Sequence, residues 1–110
     1  DIISCLNLSC PIGTKIYIGE TNEDHIKRNH PYAYQKYFND VGTIISYPDY
    51  VRISAKDSSI EYVKQYKIKN EYVKVAVRVT NNGTYFVRSL YILNNKRVYN
   101  FISNGTLKAP

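Results

Sequence analysis

The chain has 110 residues, 44% of them hydrophobic and 22% charged, which suits one small domain with a single core burying about two thirds of its unfolded surface, and excludes a second domain or a disordered tail. Fifteen Lys and Arg against nine Asp and Glu give a net charge of +6, so polyanions are attracted and nucleic acid is the first partner to consider, with charge for solubility alone as the plain alternative. The sequence has no run of about 18 apolar residues and no basic segment ahead of an apolar stretch, so neither a transmembrane helix nor a signal peptide is expected, and no membrane partner.

Residues 1–13 read as a lead-in. Cys5 and Cys10 in "CLNLSC" leave reduced thiols and a small disulfide loop both open. The spacing is not CxxC and the histidines are distant, so no zinc set, and no metal or cofactor, is expected. No methionine occurs, even at position 1, so a piece of a longer protein is expected. "TKIYIG" alternates as a short strand. Thr21 with Asp24 resembles a capping box, which starts a helix at about Asn22 that runs to Asn29, where Pro31 pushes the preceding residue out of helical geometry. A second helical stretch, "YAYQKYFNDVGTIIS", carries Tyr34, Tyr37, Phe38 and Val41 on one apolar face and breaks near Gly42.

After the "YPDY" turn, "SIEYVKQYKI", "EYVKVAVRVT" and "TYFVRSLYIL" alternate as antiparallel strands, and Asn82–Gly83 in "TNNGT" is a strong hairpin signal. With a two-residue loop, residues whose numbers sum to about 165 lie opposite each other, so Val77 faces Arg88. One face then carries Val73, Val75, Val77, Val79, Phe86, Leu90 and Ile92 with Arg88 as its only charge; the other carries Lys74, Arg78, Tyr85, Ser89 and Tyr91. A longer loop with a bulge would instead put Arg88 beside Ala76 on the open face, and this register stays open. Val98, Phe101 and Ile102, followed by Gly105, give a closing helix. The fold expected is α+β and a single domain over 1–110, with N-terminal helices packed on one face of a four- to five-stranded antiparallel sheet, a short C-terminal helix and the other face free.

Both histidines fall in "EDHIKRNHP". On a continuous helix His25 and His30 are about 140° apart, so they are not an i, i+4 metal pair. In the first turn the macrodipole favours a neutral His25, and at the far end a cationic His30. A base and an acid flanking Lys27 and Arg28 suit in-line phosphodiester cleavage without metal, although Glu23 and Asp24 oppose the dipole and can exchange the two roles. The alternative is a surface helix with two solvated histidines. Ser89 and Tyr91 share a strand beside cations, where their hydroxyls can meet phosphate oxygens, and a charge such as Arg88 on a valine face is costly unless it is paired or reaches a cleft.

"HIKRNHPYAYQKYF", "IISYPDYV", "IEYVKQY" and "VKVAVRVTNNGTYFVRSLY" together resemble the small phage and polymorphic-toxin nucleases of the barnase, EndoU, colicin D and RelE group, over roughly residues 14 to 105. The resemblance implies a helical layer on an antiparallel sheet and a metal-independent endoribonuclease that leaves 2′,3′-cyclic phosphate ends. It places catalysis on His25, His30, Arg88 and Ser89, and RNA binding on Lys27, Arg28 and Tyr91, with Arg78 only as a nearby cation. It further implies a monomeric toxin domain that cleaves tRNA in the cytoplasm of a target bacterium, is delivered from a larger secreted or phage-borne protein, and is neutralised by a cognate immunity or antitoxin protein. The rival readings are a non-catalytic basic RNA-binding or phage structural module, and a protein-interaction domain whose charge is incidental.

Overall fold

Val73, Val75 and Val77 alternate with Lys74 and Ala76 along one strand and have no exposed surface at all; the helices and the rest of the sheet are arranged around them. The computed structural model describes residues 5–8, 16–54, 59–79, 84–103, 105 and 107–109. In chain order the elements are β1 (Cys5–Leu8), β2 (Ile16–Gly19), α1 (Glu20–Asn29), α2 (Pro31–Tyr37), a 3-10 turn (Phe38–Asp40), α3 (Val41–Ser46), β3 (Tyr50–Ile53), β4 (Ile60–Tyr66), β5 (Glu71–Val79), β6 (Tyr85–Leu93) and α4 (Asn95–Ser103). The class is α+β, as the sequence indicates.

The strands form one six-stranded sheet in the order β1-β2-β6-β5-β4-β3. It is antiparallel except where β2 runs parallel to β6, and it is wider than four or five strands because part of the lead-in, Cys5–Leu8, pairs with β2. The parallel pair follows from the route of the chain: after β2 it crosses one face through three helices and re-enters at the far edge, and parallel neighbours need such a crossover. The Asn82–Gly83 loop, and the Cys5–Cys10 pairing, which depends on Cys10, lie outside the described residues.

Ile26 of α1, Ala33 and Tyr37 of α2, and Val41, Ile44 and Ile45 of α3 are buried against the valine face of the sheet. Expected details of these helices shift. Helix α1 begins at Glu20 behind Gly19, with no side-chain cap, so the Thr21–Asp24 capping box does not form: both residues lie inside a helix whose first turn already carries Glu20 and Glu23 against the dipole. The second helix breaks at Phe38–Asp40, and Gly42 is buried within α3. The opposite face is not wholly free, because α4 lays Val98 on Val63 and Tyr72, with Phe101 and Ile102 beside them, in a second, smaller core. Gly105, at φ 78°, turns the chain after α4 as its position suggests. Leu107 N–H then donates to Phe101 O and Lys108 pairs with Val51 at the outer edge of β3.

Several tyrosines fasten the helical layer by donating to carboxylates. Tyr34 donates to Glu23 at 2.7 Å, Tyr66 to Asp40 at 3.0 Å, and Tyr37 to Glu71. Burial, then these hydrogen bonds, push the Tyr34 phenol up to about 12 and raise Tyr37 and Tyr66 as well. A phenol whose folded value exceeds its unfolded value keeps its proton longer folded than unfolded, so its stabilisation is complete below pH 10 and is lost as the pH climbs through the folded value. In an alkaline titration followed at the tyrosinate absorbance band, these tyrosines should ionise late and together with unfolding. Ionisation of all twelve tyrosines near pH 10, with the fold intact, would contradict this.

Candidate functional site

Strand β6 contains one residue too many for its partner. Ala76 pairs with Ser89 but Val77 pairs with Val87, and the register shifts between them, so Arg88 is the extra residue of a β-bulge. The pairing of Val77 with Arg88 expected from the two-residue loop is therefore not the one formed. The reason is the cost of burial: strict alternation would bury a guanidinium among valines and expose Val87. The bulge lets Val87 and Leu90 both point inward with no exposure, moves Phe86 to the other face beside Tyr17, and leaves Arg88 exposed next to Ser89.

That face, beside α4, holds a cleft of about 990 Å³. Among the described residues its lining carries five cations, Arg52, Lys74, Arg88, Arg97 and Lys108, against one carboxylate, Glu61. Glu61 is buried, with 7% exposure, and accepts from Arg52 Nε and, at 3.2 Å, from Lys74 Nζ. Lys74 Nζ also lies 4.6 Å from the centre of the Tyr91 ring. Tyr91 in turn stacks on His30, with ring centres 5.2 Å apart and planes 24° apart.

His30 meets Tyr91 along the edge of β6 that β2 leaves unpaired. Among the described residues β2 pairs with β6 only along Tyr85–Val87, and α1 follows the remaining edge: Asn22 Nδ2 donates to the Val87 carbonyl at 3.4 Å near one end and His30 meets Tyr91 at the other. Eight residues of helix rise roughly 12 Å and four residues of strand roughly 13 Å, so the two run in step. His30 closes α1 and opens α2, with φ −136° and ψ 58°. Its N–H donates to Ile26 O at 2.8 Å and its carbonyl accepts from Tyr34 N at 2.9 Å, so the backbone carrying the ring is fixed.

The structure thus sets Arg88, Ser89 and Tyr91 in the lining of one cleft, with His30 outside that lining and stacked on Tyr91. His25 is exposed in the second turn of α1, not the first, with Asn29 Nδ2 3.0 Å from its Nδ1, so the dipole argument for it no longer applies, the effect fading beyond the first turn. Lys27 points away to Glu23 at 4.0 Å and to the Tyr34 ring. Arg28 is exposed on α1, and Arg78 sits one pair beyond the bulge, opposite Phe86; neither lines the cleft. Sequence reasoning missed Arg52, Glu61, Arg97 and Lys108, and gave Lys74 no role. The available signal was Glu61 and Lys74 standing in alternating strands beside Val63 and Ala76, where a charge needs a partner.

A model of the family described as phage-Barnase-EndoU-ColicinE5/D-RelE like nuclease3 matches residues 1–100. The chain belongs to this nuclease family. No curated protein and no solved structure matches it. A nuclease must hold a phosphodiester while charge builds on its oxygens, and a cleft with surplus cations and a serine hydroxyl supplies groups of that kind.

Among these side chains Glu61 carries the most structural weight, because it compensates two cations at once. Glu61→Ala leaves Lys74 buried without its carboxylate and should cost about 3 kcal/mol or more, read as a lower denaturant midpoint. A loss under about 1 kcal/mol would place the pair with ordinary surface ion pairs.

Proposed function

We propose that this nuclease is a metal-independent endoribonuclease that cleaves RNA through the substrate's own 2′-hydroxyl. The observation that carries this reading is the stacking of His30 on Tyr91 at the rim of the cationic cleft, beside the bulge that presents Arg88 and Ser89. A base takes the 2′-hydroxyl proton, the oxygen attacks phosphorus, and the P–O5′ bond breaks. An acid then protonates the departing 5′-oxygen, leaving a 2′,3′-cyclic phosphate and a 5′-hydroxyl. Arg88 and Ser89 hold the non-bridging oxygens as charge develops. His30 is one of the proton-transfer groups. His25 is the second: it stands three residues, about 4.5 Å of helix rise, beyond Asn22 and so level with the bulge next to Val87.

In this proposal Lys27, Arg28 and Arg78 lie outside the cleft and meet flanking RNA, while Tyr91 serves both as ring support for His30 and as a base contact. The substrate is tRNA. The domain acts as a toxin in the cytoplasm of a target bacterium, carried there by a larger phage-borne or secreted protein and restrained by an immunity protein. The phage nuclease family and the positive charge support that setting. The second reading, an RNA-binding module without cleavage, draws on the same cationic cleft.

Incubation with total tRNA in EDTA separates the two. The expected products carry 2′,3′-cyclic phosphate and 5′-hydroxyl ends, DNA of the same sequence stays intact, and binding without cleavage would select the module. A requirement for added Mg²⁺ or Mn²⁺ would sink the mechanism. His30→Ala should lower turnover roughly a hundredfold or more and remove one limb of the pH–rate profile. Arg88→Ala should lower it on a similar scale, about a hundredfold, with little change in melting temperature, because the side chain is exposed rather than core. A large fall in melting temperature with normal turnover of the folded fraction would make Arg88 structural.

A further inference from the structure

The cleft has a second cationic end, away from His30. In the first turn of α4, Arg97 holds its guanidinium 5.9 Å from the centre of the Phe101 ring, and Arg52 of β3 approaches the same ring at 5.3 Å. Lys108, on the segment paired to β3, lines this end too. Arg52 shares Glu61 with Lys74, whereas Arg97 is exposed and has no carboxylate partner among the described residues. Asn94 Oδ1 accepts from the backbone N–H of Lys96 at 2.9 Å and of Arg97 at 3.3 Å, so the turn that bears Arg97 is held in place. A guanidinium resting on an aromatic face keeps its N–H edge outward for a planar anion and loses less freedom on binding it.

From β6, which carries Arg88 and Ser89, to β3, which carries Arg52, the sheet order leaves three interstrand steps, roughly 14 Å at the usual spacing. A strand separation of that size suits the two ends to different phosphates of one chain. We propose that Arg97, with Arg52 and Phe101, forms a second phosphate subsite that grips the backbone of an extended single strand of RNA at a distance from the scissile bond. The subsite rests on the ribonuclease reading and deepens it: the enzyme prefers unpaired substrates several nucleotides long to minimal ones.

The test compares a dinucleotide with a single-stranded oligoribonucleotide of about ten residues, using the whole chain. Arg97→Ala should raise KM for the longer substrate roughly tenfold, the scale of one charge-assisted contact, with the penalty confined to that substrate. The slope of log binding constant against log salt for the oligomer should become shallower by about 0.7, the counterion release of one single-strand phosphate contact. Arg97→Lys should keep the salt slope and recover only part of KM, because it restores the charge without the planar fork. Equal effects of Arg97→Ala on both substrates, or none, would overturn the subsite while leaving the ribonuclease reading intact. Failure of the unaltered chain to cleave either substrate would overturn the ribonuclease reading itself. Retained RNA affinity in Arg97→Ala together with lost binding of polyglutamate would assign this end of the cleft to an acidic protein and also overturn the subsite.

Discussion

A strand with period two cannot turn both Val87 and Leu90 to the same side, yet the helical layer needs both. The bulge at Arg88 is the smallest departure that satisfies the core, since one inserted residue changes the parity of everything after it. The same insertion removes a charge from the valine face, sends Phe86 to the other side, and sets Arg88 and Ser89 together opposite Ala76. Packing on one face of the sheet therefore determines which polar side chains stand together on the other. Substitutions at Val87 or Leu90 that changed which residue faces inward would be felt at the cleft even though neither side chain lines it.

On the open face the organising group is Glu61. Two cations beside one buried carboxylate leave a surplus of positive charge, and Glu61 fixes where it lies by drawing Lys74 across the strands onto Tyr91 and Arg52 toward Phe101. A buried ion pair adds little net stability against a well-packed apolar substitute, because desolvation offsets the attraction. Its effect here is positional. The ring of Tyr91, fixed by Lys74 from the β5 side, is the surface on which His30 rests from the outer edge of β6.

The elements were legible in the sequence because their signals are local: the alternation of "EYVKVAVRV", the Val98, Phe101 and Ile102 spacing, and Pro31 after His30 each act within a few residues. What misled the reading was decided across the sheet. The register around Arg88 depends on what Val87 meets in the helical layer, the parallel pairing of β2 with β6 depends on the route of the chain through three helices, and the strand at Cys5–Leu8 exists because β2 offers it an edge. At the start of α1, the Thr21–Asp24 pattern was outcompeted once the helix began two residues earlier, with Glu20 in its first turn. Half of the candidate site was visible as residue types, His30, Arg88, Ser89 and Tyr91. Arg52 was not, and Glu61 showed only as a strand charge in need of a partner until β3 and β5 set Arg52 and Lys74 on either side of it.

The placement of His30 shows how a local break can serve a distant contact. Pro31 disfavours helical geometry at the residue before it, and His30 adopts φ −136° and ψ 58° while its N–H and carbonyl still bond into α1 and α2. A histidine in mid-helix would have its direction set by the helix phase, as His25 does, and would follow every adjustment of α1 against the sheet. At the junction the side chain leaves along a different direction from backbone that is bonded on both sides. It can therefore meet Tyr91 along the edge of β6 that β2 leaves unpaired after Val87. Lengthening β2 by pairing it further along β6 would close that passage, so the shortness of β2 is itself a condition for the histidine meeting Tyr91.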